Sequence, residues 1–397
     1  MYRLSLACVA IGLVAALSLV LPPGGAEAQS AGKNLLINPG FEDALGGHPW
    51  MPAGWDTSRA GLQTVFFGRD SFVAHSGTFA VSVANVSSVW PLAHNWSQTM
   101  PIPHAWWGKD IVFSVWSRSV GVNGRGYALV QAFRDTLTKV ALQHRVSRDS
   151  AERILNIKKA DDPLLELGWQ RVFFSDAETE WVRREVRIYI APSTNVLFVR
   201  CGLLGTGQVI FDDASLTLQP AAPPAPLPLR TNLLKEPGFE QNGDGWEYSL
   251  PPYQGLRAVI DSAVVHSGRA AVMITGGENG WIQARAGVCQ VLGNRNLSGK
   301  RVRLSGYVKT DSLMGHAYLK LYAHTLRGVV QAEPSGAYSM NTDWTLASAE
   351  MDVPEDTFEL WGWFTYNAPV EGIVYFDDAS LEVLGNATTA GRGRPRP

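Results

Sequence analysis

The feature that most limits how this chain can fold is a pair of phrases, each written twice. "NLLINPGFED" at residues 34–43 returns as "NLLKEPGFE" at 232–240, and "FDDASL" at 211–216 returns at 376–381. Between them "HSG" recurs at His75 and His266, and "GK" at Gly108 and Gly299, both at an offset of 191, while Asp212 and Asp377 are 165 apart. Common order with shrinking spacing is the mark of an internal duplication, with extra sequence in the first copy between Arg134 and Trp181.

Each copy reads as all-β. In "GKRVRLSGYVKTD", Val302, Leu304, Gly306 and Val308 alternate with Arg303, Ser305, Tyr307 and Lys309. "HAYLKLYAHT" alternates in the same way, and period two with Gly, Pro and Asn turns predicts sandwiches of short strands. The exception is Arg148–Trp169, whose helix formers predict a short helix plus loop present in the first copy only. The expected layout is a signal peptide over 1–28, a first domain over 34–219 with its insertion at about 141–180, and a Pro-rich linker over 220–230. A second domain over 231–385 and a disordered basic tail over 386–397 complete it.

The leader is expected from Arg3, the apolar run Leu4–Leu21 and the triplet Ala26-Glu27-Ala28, so export, to the periplasm or beyond, is the anticipated location. A formal net charge of -2 offers nothing to nucleic acid, and no membrane insertion of the mature chain is expected. Cys201 and Cys289 fall at non-corresponding places, so the copies do not rest on a disulfide framework. The 14 Trp, 11 Tyr and 15 Phe, against 8 His, favour flat contact surfaces over metal or acid–base clusters.

The opening phrase, Gly54-Trp55 and Gly245-Trp246, the "HSG" turn and the closing "FDDASL" together resemble carbohydrate-binding modules of the family 4/9/22 type, galactose-binding-like β-jelly rolls. The resemblance covers residues 34–218 and 232–384. It implies two tandem jelly rolls, a polysaccharide or glycan partner, and a structural Ca²⁺ away from the sugar site. Glu42 with Asp212 or Asp213, and Glu240 with Asp377 or Asp378, are expected to supply the hard oxygens that Ca²⁺ takes, with backbone carbonyls near Ser76-Gly77 and Ser267-Gly268 completing the shell. The alternative is that these acids only accept hydrogen bonds from turns.

A ligand is expected on the face opposite the core, where aromatic rings suit the C–H faces of pyranoses and polar neighbours suit hydroxyls. In the second copy that face is expected to hold Tyr307, Lys309, Tyr318, Lys320, Tyr322 and His324, with Trp361 and Trp363 from "FELWGWFTY". In the first copy it is expected to hold Trp116, Arg118, Tyr127 and Gln131, greasier and open to being covered by the insertion. Trp55 and Trp246, each beside a glycine, read as structural plugs.

A non-catalytic exported binder is the leading expectation, and a structural or adhesive surface protein with protein partners is the alternative. One exposed groove of aromatics favours the first, and aromatics buried between the domains favour the second. A hydrolase or lyase built on Glu152, Asp161, Asp162, Glu166, Glu178 and Glu180 requires two carboxylates to converge on a cleft.

Overall fold

The computed structural model describes residues 32–57, 63–87, 93–156, 164–174, 179–241, 243, 245–249, 257–275, 285–293, 295–367 and 371–388. The expected signal peptide, most of the expected tail, and Asp161, Asp162 and Glu178 lie outside them.

The first sandwich is built from β1 (Ala44–Leu45), β2 (His48–Pro52), β3 (Asp56–Thr57), β4 (Val65–Asp70), β5 (Ala80–Asn85), β6 (Ala93–Pro101), β7 (Lys109–Arg134), β8 (Leu165–Phe174), β9 (Val182–Tyr189) and β10 (Val196–Pro220). The helices α1 (Thr136–His144) and α2 (Arg148–Leu155) sit between β7 and β8. The second sandwich holds β11 (Glu247–Ser249), β12 (Arg257–Asp261), β13 (Ala271–Thr275), β14 (Arg285–Leu292), β15 (Lys300–Thr325), β16 (Gly328–Gln331), β17 (Tyr338–Asp352), β18 (Thr357–Asn367) and β19 (Ile373–Asn386). The all-β jelly-roll expectation is met.

Long strands run through both sheets of a sandwich. The first half of β15 pairs with β17 and β19, and its second half pairs with β16 and β18. In the first copy, β7 pairs along its length with β10, with β9 on its first half and β8 on its second. The bend falls where Gly124 faces Gly205, both at positive φ, and a Cβ on Gly124 would collide with the Leu204 carbonyl, so only glycine lets the two backbones cross this closely.

Each sandwich has its own apolar core. Val302, Leu304, Val308, Leu319, Leu321, Phe364 and Phe376 fill the second, and Phe113, Val115, Val130, Val199 and Phe211 the first. Trp55 and Trp246 are buried plugs as expected: each ring lies on the phenylalanine of its own opening phrase, at 4.8 and 4.7 Å, and each indole N–H donates to a carbonyl of that phrase, Asn38 and Glu236.

The described residues of the insertion hold more regular structure than the sequence suggested. Helix α2 matches the predicted one, but α1 precedes it, capped by Asp135 with Leu137, Val140 and Ala141 buried on one face. Residues 165–169, taken as loop, belong to β8, which pairs with β7 as the short β16 pairs with β15. The helices thus replace the tight turn at Leu326–Arg327. The linker is also tied down: Ala222 N–H donates to Asp110, Leu227 packs on the second core, and Leu229 bridges to Val383.

Candidate functional site

The repeated phrases meet in space. Asn34 donates to the Ala214 carbonyl and accepts from the N–H groups of Leu36 and Leu216, and Asn232 does the same with Ala379, Leu234 and Leu381. Asp212 Oδ2 accepts from the N–H groups of His75 and Ser76, and its Oδ1 from that of Asp213. Asp213 takes His75 Nδ1 at 2.6 Å and Ser76 Oγ at 2.8 Å, while Glu42 Oε1 accepts from Thr78 and Phe79. Asp377, Asp378 and Glu240 repeat this around His266, Ser267 and Arg269. Gly77 and Gly268 must be glycine, because φ is positive and a Cβ would overlap Glu42 or Glu240.

Burial, ahead of these N–H donors, pushes Asp212 up to about 6, and Asp377 is raised for the same reason. Among the described residues no three His, Cys, Asp or Glu side chains are grouped to hold a metal ion. A cation here would therefore draw its further ligands from backbone carbonyls and water.

The expected binding faces are rearranged. Period two decides which side of a strand faces the core, but β15 crosses between sheets, so its outward residues lie on opposite outer faces of the sandwich. Tyr307 and Lys309 belong to the face near the HSG turn, where Tyr307 stacks on His266 at 3.5 Å and Lys309 pairs with Asp343. Tyr318, Lys320, Tyr322 and His324 stand on the other face with Trp361 and Trp363. The first copy splits in the same way. Trp116 stacks on His75 at 4.0 Å and shares its half of β7 with Arg118, while Tyr127 and Gln131 lie on the second half beside β8.

The second correction concerns exposure. The Trp361 face is no open groove, because the outer face of the first sandwich around β8 is packed against it. Tyr322 and Trp363 are buried with Cys289, and Trp361 packs against them. The ring of Trp169, from β8, lies 5.4 Å from that of Trp361. Leu167 and Ala191 of the first sandwich share a cluster with Phe358 of the second.

Polar clasps hold this seam. Arg171 forms a buried ion pair with Glu247, its Nε 3.0 Å from Oε1, and its guanidinium lies 4.8 Å over the Trp169 ring. Arg125 donates to the Trp246 carbonyl at 3.1 Å and lies over Tyr248 at 4.7 Å. Glu359 accepts from the Trp169 backbone N–H through one oxygen and from Trp361 Nε1 through the other. The Oε1 of Glu166, from β8, is buried with no hydrogen-bond partner among the described residues.

Beside these groups lies a cleft of about 300 Å³, lined by Trp169, Gln170, Arg171, Lys235, Glu247, Gln290 and the aliphatic Leu227, Leu233, Val291 and Leu292. Gln290 is fixed there by two hydrogen bonds with the Lys235 backbone, as Gln98 is with Ile37 in the first copy. Among the described residues, Glu359 of the second sandwich is buried with both oxygens engaged and Glu166 is half-buried, unlike the solvent-facing carboxylate pair of a glycosidase cleft.

Sequence reasoning missed Trp169, Arg171, Glu247, Gln290 and Glu359. The signal for Glu359 was present, since it shares parity with Trp361 and Trp363 in "FELWGWFTY". Trp96 and Trp106 are core residues, while Trp50 is exposed.

No protein-family model matches this chain, and no curated protein matches it. Among solved structures it is similar to the N-terminal tandem of two family 22 carbohydrate-binding modules of a Paenibacillus barcinonensis protein, at 14% identity and TM-score 0.32, over 91% of this chain and 100% of that one. A xylan-binding family 22 domain from the same organism matches at 16% identity and TM-score 0.32, over 41% of this chain and 100% of that one. A family 61 module in complex with β-1,4-galactotriose matches at 16% identity and TM-score 0.28, over 38% of this chain and 99% of that one. Likeness at this level does not establish a family.

Proposed function

We propose that this chain is an exported, non-catalytic polysaccharide-binding protein whose site is the cleft in the seam between the two sandwiches. The observation that supports it is the meeting of Trp169 and Trp361, one from each sandwich, beside a cleft carrying an ion pair, two amides and Lys235. Ring faces take the C–H side of a pyranose, and the amide, guanidinium and carboxylate groups take its hydroxyls. Affinity gels of glucan, xylan and mannan test it with the full chain. The wild type is expected to be retarded on at least one, and Trp169→Ala to weaken that binding about 10- to 30-fold, the loss of a central aromatic anchor. Equal retardation of the two, or none on any gel, removes the seam as the site.

A structural or adhesive role is the second reading, and the burial of Tyr322 and Trp363 favours it, since those rings serve to join the sandwiches. Under this reading the chain binds no polysaccharide while the seam remains closed.

Calcium belongs to the proposal too. Asp212 and Asp377 are buried and their ionised forms are disfavoured, a charge imbalance that a divalent cation beside Glu42 and Asp213, or Glu240 and Asp378, would relieve. Thermal melts in excess Ca²⁺ and in chelator are expected to differ by several degrees, with the higher Tm in Ca²⁺. Identical melts would leave the carboxylates as caps of the HSG turns alone.

A further inference from the structure

The ladder between β15 and β17 opens on the side of the second sandwich away from the seam. Val308 pairs with Thr345 and Thr310 with Thr342, so β17 carries one residue too many there, and between Thr310 and Leu313 the excess passes to β15. Two bulges in succession part the strands and re-aim their side chains. Ser312 and Met340 sit at this place with φ of 51° and 53°, left-handed values foreign to a regular strand. The parted strands leave a cup of about 350 Å³ lined by Lys309, Thr310, Asp311, Asn341, Thr342 and Asp343.

An aromatic wall stands beside the cup. β17 and β19 flank β15 on opposite edges, and Tyr375 on β19 is the register partner of Lys309, yet the Trp344 ring reaches to 6.4 Å from that of Tyr375. Trp344 also meets His266 edge-on at 5.7 Å and is half-buried, so part of the indole stays at the surface. Lys309 Nζ and the Trp344 N–H both donate to Asp343 Oδ1, at 2.7 and 2.9 Å, which ties cation, acid and ring into one unit. Asn341 Oδ1 accepts from the Ser312 N–H, and Asp311 Oδ1 from the Ser312 hydroxyl. Asn341 Nδ2, Asp311 Oδ2 and Asp343 Oδ2 have no partner among the described residues, so one donor and two acceptors remain for a ligand.

We propose that this cup is a second sugar site, which takes one neutral pyranose unit of a polysaccharide with Trp344 against its C–H face and Asp311, Asn341 and Asp343 on its hydroxyls. The volume is at the lower end for a small-ligand site, and one ring wall with a few fixed polar groups suits a ligand of that size and polarity. Two carboxylates against one ammonium leave the lining negative, which disfavours an acidic sugar. The inference shares with the seam reading above only the class of ligand. The first copy keeps the frame and lacks the cup's acceptor. Trp116, Arg118 and Trp181 stand where the second copy has Tyr307, Lys309 and Trp344, and Trp181 meets His75 edge-on at 5.6 Å. Val120, 48% exposed, stands in the place of Asp311 and accepts nothing from a hydroxyl.

Affinity electrophoresis of the full chain on glucan, xylan, mannan and polygalacturonate gels tests the site, with wild type beside Trp344→Ala, Asp311→Ala and Trp169→Ala and circular dichroism to establish folding. On the neutral gel that retards the wild type, Trp344→Ala is expected to weaken binding about tenfold and Asp311→Ala about fivefold. The Asp311 side chain is exposed, so Asp311→Ala carries the test should Trp344→Ala fail to fold. Retardation unchanged in both, or none of the wild type on any neutral gel, overturns the second site. Binding to polygalacturonate that Asp311→Ala abolishes overturns the assignment to a neutral sugar. Weakening in Trp169→Ala alone removes this site and keeps the seam, and weakening in Trp344→Ala and Asp311→Ala alone does the reverse.

Discussion

Replacing Glu247 with alanine is expected to destabilise the folded chain by about 3–5 kcal/mol, because it leaves the Arg171 guanidinium buried without its partner. The two side chains are each only 12% exposed, and Arg171 is walled in by the rings of Trp169, Phe173 and Tyr127. An exposed ion pair would cost under about 1 kcal/mol to lose, so the magnitude itself reports whether the sandwiches are packed together in solution. The companion is the double replacement Arg171→Met with Glu247→Leu. A buried pair exchanged for apolar groups of similar volume is often neutral or stabilising, so the double variant should recover most of the loss. Denaturant titration reads both, and a single-variant loss under about 1 kcal/mol would show that the seam is open.

The second large effect concerns the plug of the second sandwich. Trp246→Ala is expected to cost about 3–5 kcal/mol, the range for emptying a core site of a large aromatic side chain. Its ring is fully buried, lies 4.7 Å from Phe239 and 5.5 Å from Phe364, and its indole N–H holds the Glu236 carbonyl. That carbonyl belongs to a residue at positive φ inside "NLLKEPGFE", so the change also loosens the arm that closes the sandwich. Trp246→Phe should keep most of the burial while losing the hydrogen bond, about 1 kcal/mol. Calorimetry decides, since the transition of the second sandwich should fall while that of the first stays near its place. An unshifted second transition would mean that the ring does not carry the core.

Much of this was legible before any coordinates. The doubled phrases predicted two copies, and their physical work is now visible. Asn34 and Asn232 bond the first segment to the last strand, and Phe41 and Phe239 brace the two plugs. The alternation around Val302 and Leu319 marked core and outward sides without error. What escaped was the destination of the outward side. Tyr307 and Tyr322 have the same parity on one continuous strand, yet the bend of β15 sends them to opposite surfaces. The partner across the seam escaped as well, because Trp169, Arg171 and Glu166 lie in β8, which carries too few alternating residues after the helices to announce a strand.

By itself, then, the sequence determined the all-β class, the two copies, the plug tryptophans and the acids that gather at the HSG turns, because each depends on local period or on residues repeated in register. Only the tertiary structure decided that the aromatic face of one sandwich is covered by the other, and that Arg171 meets Glu247 across the seam. The physical reason is that a strand's pattern records whether a side chain leaves water, and not whether its own core or a neighbouring sandwich takes it in.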